Sequence, residues 1–281
     1  MTTPQELIGN LGELPPLPQV AAQVLRLSAD SETSADELQR LIRADQALTA
    51  QTLRIANSAM FGMVREVSTL TQATMTLGFS TTRSVVLAAS VKSLFNRGPA
   101  GIQERLLWEH ALVVGLTGSA IGRALGYHPA EEVFLAGLMH DLGKSVLLLK
   151  FPERYGTLLK RIYDEGGDAT ALEREAFDLD HPLVGEALVR SWHLSHGIEA
   201  TLRWHHSPLD APVEHQRLVA LVALGNQMAL DLQVGLGSPE SLAAATREAR
   251  QILDLDDAAF AQHRSAALEA LDRDKALLTE F

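Results

Sequence analysis

Seven side chains in this sequence could carry chemistry together: His110, His140, Asp141, Lys144, His181, His205 and His206. Imidazole and carboxylate ligands suit Fe, Mn, Zn, Ni or Co. The five histidines and Asp141 could serve one octahedral ion, or two ions that share Asp141 as a bridge. Two metals about 4 Å apart suit phosphoester hydrolysis with a bridging hydroxide as nucleophile. Lys144 could then stabilise phosphate charge, which makes Asp141 and Lys144 the candidate catalytic residues. The chain has no cysteine. Disulfides, zinc–thiolate sites, iron–sulfur ligation and a Cys nucleophile are therefore excluded, and any metal must be held by His, Asp or Glu.

Each residue also has a plainer explanation. His110 lies in IQERLLWEHALVVGLTGSAIGRAL, four residues after Leu106 and three before Val113. Alone, it reads as a satisfied core histidine. His140 and Asp141 end the apolar run VFLAGLM and precede Leu142, Gly143 and Lys144. Burying an imidazole, a carboxylate and an amine side by side is costly unless they bind something or one another. His181 stands between Asp180 and Pro182 at a helix start, where it could simply belong to the cap. His205 and His206 are adjacent, and neighbours on a helix point about 100° apart. One can face one metal while the other reaches a second; a solvated helix end is the alternative. His128, His193, His196, His215 and His263 lack such context; His193 and His196, in SWHLSHG, read as surface residues or residues just outside the ligands.

The elements that must position these groups are helical. Apolar residues recur at three- and four-residue steps, and alternating strand-like runs are absent, so an all-α protein is expected. Loop signals are short: LPPLP at 14–18, NRGPAG at 96–101, GYHP at 126–129, EGGD at 165–168 and GLGSPE at 235–240. Ser34 and Glu37 form a capping-box pattern, and Ser238 before Pro239 marks another helix start. All 10 histidines follow the 96–101 segment, which is the expected internal boundary. Residues 238–281 read as two amphipathic helices broken near LDLDD, with Leu242, Ile252 and Leu255 on one stripe and Leu268, Leu271 and Leu277 on the other.

Length and composition agree with a globular chain. The 281 residues are 46% hydrophobic and 21% charged, enough for a core without covalent staples. Acidic residues number 35 against 24 basic, a net charge of -11 that opposes non-specific binding to nucleic acid or an anionic membrane. MTTPQELIGN has neither a basic region nor an apolar core, so it does not read as a signal peptide. Apolar stretches of about a dozen residues are too short to span a bilayer. A cytoplasmic protein is expected.

HDLGK at 140–144, the upstream histidine in WEHA, the downstream HP and the later HHSP resemble the HD superfamily of metal-dependent phosphohydrolases. The stretch from LPPLPQVAAQVLRLSAD to ANSAMFG, then STLTQATMTLGF and AGLMHDLGK, narrows the resemblance to the HDOD domain, the HD-related output domain of bacterial signalling proteins. It covers roughly 10–230. The resemblance implies an N-terminal helical subdomain packed on an HD-like helical core. It divides the chain into an N-terminal helical part at 1–98, a metal-site core at 99–235 and a C-terminal helical extension at 236–281.

By the same resemblance His110, His140 and Asp141 occupy metal-ligand positions. His181, His205 and His206 match further ligands of the HD-GYP cyclic-dinucleotide phosphodiesterases, and Lys144 matches the lysine of their HDxGK motif. The chain departs from that pattern in three places. Ser207, Pro208 and Leu209 follow His206 where no GYP appears; Asn226 stands at the position of the closing aspartate; Leu106 stands where a Glu ligand can occur.

Three readings follow. The first is a regulatory module that holds one or two divalent ions (Fe, Mn, Zn or Ni), has little or no catalysis, and acts through a signalling protein partner. The second is a metal-dependent phosphodiesterase or phosphohydrolase acting on a nucleotide such as a cyclic dinucleotide. The third is a helical scaffold that retains the histidines only for packing. No receiver or GGDEF-like segment is visible in these residues, so input is expected through a partner or a bound ligand; nucleic acid and membrane are not expected partners.

Overall fold

Three- and four-residue apolar spacing folds into helices throughout, and no strand occurs among the described residues of the computed structural model, 4–9, 11–27, 32–58, 66–95 and 102–273. The N-terminal part holds α1 (Pro4–Gly9), α2 (Gln19–Leu25), α3 (Glu32–Arg43), α4 (Gln46–Ala56), α5 (Leu70–Leu77) and α6 (Phe79–Phe95). The remainder holds α7 (Ile102–Ala124), α8 (Ala130–Met139), α9 (Leu142–Lys150), α10 (Pro152–Glu165), α11 (Ala169–Phe177), α12 (His181–Ser191) and α13 (His196–Trp204). Last come α14 (Gln216–Asp231), α15 (Ala243–Ile252) and α16 (Asp257–Arg273).

Local chemistry sets several helix starts. The side chains of Asp45, Thr69, Asp168, Asp180 and Ser195 accept from backbone N–H groups in the first turns of α4, α5, α11, α12 and α13. Each such cap contributes about 1 kcal/mol. Pro18 stands at the start of α2, as the Pro-rich approach requires. The helix expected to start at a Ser34 cap starts earlier, at Glu32, so Ser34 lies inside α3. Several cap-forming residue types precede it in SADSETS, and the capping pattern alone does not choose among them.

The axis of the fold is α7. From Leu107 to Gly122 it is buried almost continuously rather than on one stripe. That degree of burial needs neighbours on several sides, and α8, α14 and α16 supply them. Small residues let them close in: a Cβ on Gly137 of α8 would lie 2.8 Å from the Gly115 Cα, and one on Gly225 of α14 only 2.5 Å from the Val114 carbonyl oxygen. In the N-terminal part α6 is central, packed on α2, α4 and α5 and reaching α8 and α9. One contiguous apolar core includes Leu38 and Ile42 of α3, Val86 of α6, Leu112 of α7 and Leu188 of α12. Each fully buried Leu or Val is worth about 1.5–3 kcal/mol, so the N-terminal helices are a packed subdomain on the HD-like core.

Polar bonds pin the junctions. Arg83 of α6 donates to the carbonyls of Val24 and Leu25 at 3.2 and 3.0 Å, satisfying the end of α2. Trp192 Nε1 donates to the Pro15 carbonyl at 3.0 Å, which fastens LPPLP to the end of α12. Asn57 of ANSAMFG donates to the Leu53 and Val67 carbonyls and accepts from Val67 N–H, closing the loop after α4. Residues 59–62 of that motif, the 96–101 boundary and Leu277 lie outside the described residues. The C-terminal helices break at 253–256, as LDLDD suggests, with Leu242, Leu255 and Leu271 buried. No described helix is long and apolar enough to cross a membrane.

Candidate metal centre

Helix ends deliver all but one of the candidate ligands. His140 follows the last residue of α8, Asp141 precedes α9, and Lys144 lies in the first turn of α9. His181 opens α12, capped by Asp180. His205 and His206 follow α13. His110 comes instead from the buried interior of α7. Residues that are more than sixty positions apart in the chain thereby meet.

They meet as two adjoining groups. One is His110, His140 and Asp141, the other His181, His205 and His206, and in each the ligand atoms lie within 4.8 Å of one another. Asp141 links the two. Its Oδ2 lies 3.6 Å from His110 Nε2 and 3.3 Å from His140 Nε2. Its Oδ1 lies 3.1 Å from His181 Nε2 and 3.6 Å from His205 Nε2. His181 Nε2 is in turn 3.3 Å from His205 Nε2 and 3.1 Å from His206 Nε2. All six are buried apart from His206, which is half-buried.

The bonds behind the rings decide which nitrogen faces inward. His110 Nδ1 meets the Val234 carbonyl at 2.9 Å, and His140 Nδ1 the Gly137 carbonyl at 2.6 Å. His205 Nδ1 lies 3.1 Å from the carbonyls of Thr201 and Leu202. His181 Nδ1 meets Glu173 Oε2 at 2.7 Å. Carbonyl and carboxylate oxygens only accept, so these four rings carry a proton on Nδ1 and turn Nε2 toward Asp141. The loop after α14 holds His110 closely: a Cβ on Gly235, whose φ is +114°, would lie 2.5 Å from His110 Nδ1.

Charge states follow from burial and neighbours. Burial pushes His110 down to about 3. His205 and His206 are held well below the usual imidazole range, by burial first and by neighbouring histidines next. Burial also works against the charged form of His181, but Glu173 and Asp141 outweigh it and raise that ring. For Asp141 burial favours the neutral acid, yet His140, Lys144 and His181 prevail and hold it well below the carboxylate range. The lowered His110, His205 and His206 beside an ionised Asp141 favour the unprotonated donors that divalent metal binding requires, while at His181 a metal would have to displace a proton.

This arrangement carries a pH signature. Below about pH 6.5 the unfolded chain takes up protons on histidines that the fold keeps neutral. His110, His205 and His206 should each cost about 1.4 kcal/mol per pH unit in that range. The raised His181 contributes stability that is already complete below about 6.5 and is lost only as pH rises, so it does not reverse the slope. The melting temperature of chelator-treated protein should fall between about pH 6.5 and about pH 5. A flat profile there would mean that the folded cluster protonates freely.

The donor set fits a divalent metal on a further ground. His140 Nε2 and Asp141 Oδ1 are buried with no aligned hydrogen-bond partner. Such atoms are expensive when nothing engages them, and both point into the cluster. Lys144 lies against the same carboxylate. Its ammonium bonds Asp141 Oδ2 at 2.7 Å, so it neutralises the central carboxylate.

A family model for the HDOD domain matches residues 14–208. The chain belongs to the HDOD family. Its fold is shared with an HDOD domain protein of unknown function from Geobacter sulfurreducens, at TM-score 0.73 and 23% identity over 95% of this chain and 96% of that one. A candidate phosphohydrolase from Shewanella amazonensis SB2B superposes at TM-score 0.74 and 22% identity, covering 96% and 97%. An uncharacterized protein of Treponema pallidum (strain Nichols) is 24% identical over 217 residues, 77% of this chain. The chain spans 42% of that relative's length.

Within this HDOD chain the departures noted in the sequence have structural counterparts. Asn226 is buried in α14, and no hydrogen bond joins it to any of the six His and Asp residues. Leu106 packs half-buried against the apolar core. His193 and His196 are exposed, His128 likewise, and His215 and His263 are half-buried outside the cluster. Glu173 was not singled out from the sequence. It is one of several acids in LEREAFDLDH, and no spacing rule separates it from its neighbours.

Proposed function

We propose that this protein is a bacterial HDOD-type regulatory module in which His110, His140, Asp141, His181, His205 and His206 hold one or two divalent metal ions, with little or no catalysis. The observation that carries this reading is the convergence of four buried histidines on Asp141, with His206 beside His181, where His140 Nε2 and Asp141 Oδ1 lack an aligned hydrogen-bond partner. When bound, a divalent ion would supply Lewis acidity and charge to this cluster. Asp141 reaches both groups with its two oxygens, and the Nδ1 bonds orient four of the rings.

Three features favour regulation over turnover. Lys144 is committed to Asp141, 6% exposed, and not presented to solvent where a phosphate could arrive. Only His206 of the six is even half open. Two clefts of about 370 and 360 Å³ lie among the described residues, and neither is lined by any of the six. On this reading the N-terminal helices and the HD-like core form one unit that presents a surface to a signalling protein, with a nucleotide as a further possible ligand class. The 1–98, 99–235 and 236–281 divisions are part of the same proposal.

The second reading, a metal-dependent phosphohydrolase, draws on the five histidines with Asp141 and Lys144 and on the half-open His206. Assays of cyclic di-GMP and a generic phosphodiester, with Mn, Fe, Ni and Zn in turn, separate the two. Bound metal without turnover supports the module. Turnover that Asp141→Ala abolishes would replace it with the enzyme.

A further inference from the structure

Behind His181 lies a buried Glu–Tyr pair whose charge the proposed function leaves unexplained. Glu173 of α11 is fully buried. Its Oε1 accepts from the Tyr155 hydroxyl of α10 at 2.6 Å. Its Oε2 accepts from both the His181 backbone N–H and His181 Nδ1, each at 2.7 Å. Taking a carboxylate out of water costs several kcal/mol, which three donors can offset. Tyr155 is itself fully buried, and burial beside Glu173 raises its hydroxyl well above the usual range, so it stays a donor.

Helix capping accounts for only one of these bonds, the one to the His181 backbone N–H. Asp180 already caps α12 through Leu183 N–H at 3.0 Å. The comparison within the cluster is more telling. His110, His140 and His205 rest their Nδ1 atoms on neutral backbone carbonyls, whereas His181 rests on a carboxylate. A carboxylate behind an imidazole fixes the ring and makes the far nitrogen a stronger donor. That far nitrogen, His181 Nε2, stands within 3.3 Å of His205 Nε2, His206 Nε2 and Asp141 Oδ1.

We infer that Glu173, held in place by Tyr155, is a positioning residue that aligns His181 and strengthens its Nε2 as a metal donor. The inference rests on the metal-holding reading above. Glu173→Gln keeps the shape and can still accept from His181, but removes the charge. Chelator-stripped full-length protein is titrated with Co²⁺, whose visible bands report the ligand field. Glu173→Gln should bind Co²⁺ about 10- to 100-fold more weakly, with altered bands and a metal-free melting temperature close to wild type. Tyr155→Phe should shift affinity the same way by less. Unchanged Co²⁺ affinity and bands in Glu173→Gln would overturn the inference, as would lowered metal-free stability with affinity retained. If Glu173→Gln does not fold, Tyr155→Phe decides: weaker binding supports, equal binding overturns. A wild type that takes up no Co²⁺ defeats the metal reading and this inference together; a binding wild type with unaffected variants defeats only the inference.

Discussion

Replacing Asp141 with alanine is expected to leave the purified protein without metal at the cluster. Among the described residues Asp141 is the only carboxylate in contact with both histidine groups, one oxygen serving each. Without it the imidazoles offer no carboxylate donor, and only Glu173, behind His181, is left to offset the charge of a divalent ion in a buried site. The same change strands the Lys144 ammonium, which has lost the partner 2.7 Å away. Removing one member of a buried ion pair typically costs about 3–5 kcal/mol. Elemental analysis should show metal at background, and the melting temperature should fall. Asp141→Asn keeps the volume and a hydrogen-bond acceptor for Lys144, so it should also lose metal but melt closer to wild type. Stoichiometric metal retained in Asp141→Ala would remove Asp141 from the centre.

Gly143→Ala should damage the protein through one methyl group. A Cβ on Gly143 would lie 2.0 Å from the His181 carbonyl oxygen, 2.7 Å from its carbon and 2.9 Å from the Gly185 nitrogen. All three are backbone atoms, which cannot swing aside as a side chain does. α9 and α12 would have to separate, carrying Asp141 and Lys144 away from His181. Overpacking costs about 1–3 kcal/mol when the neighbours can adjust, and backbone against backbone belongs at or above that upper end. The better helix propensity of alanine returns about 1 kcal/mol, which does not compensate. A fall in melting temperature of about 5 °C or more is expected, together with reduced metal content. A Gly143→Ala protein that melts and loads metal like the wild type would contradict the close α9–α12 contact.

Much of the site was legible because burying His140 and Asp141 at the end of an apolar run is costly without a reason. That reason is now visible in the rings and the ammonium around them. The glycine of HDLGK also gains a cause: it is the contact point of two ligand-bearing helices. His110 was readable only in company, since its helix spacing is that of any core residue. The role of Lys144 was not readable. Three positions after Asp141 on one helix face, it could reach out to a ligand or back to the carboxylate, and spacing does not distinguish the two. Glu173 escaped because its significance depends on where α11 packs, a tertiary fact. The Ser34 cap failed for a local reason, a run of residues that can all cap.

The central claim is that these six side chains enclose a metal. The most direct measurement is anomalous diffraction from crystals of protein purified without chelator, recorded on either side of the Fe, Mn, Ni and Zn absorption edges. An edge-dependent peak is expected beside Asp141, within bonding distance of the inward Nε2 atoms. A cluster with no anomalous peak, and Lys144 alone balancing Asp141, would show instead that these histidines serve only to pack the helices.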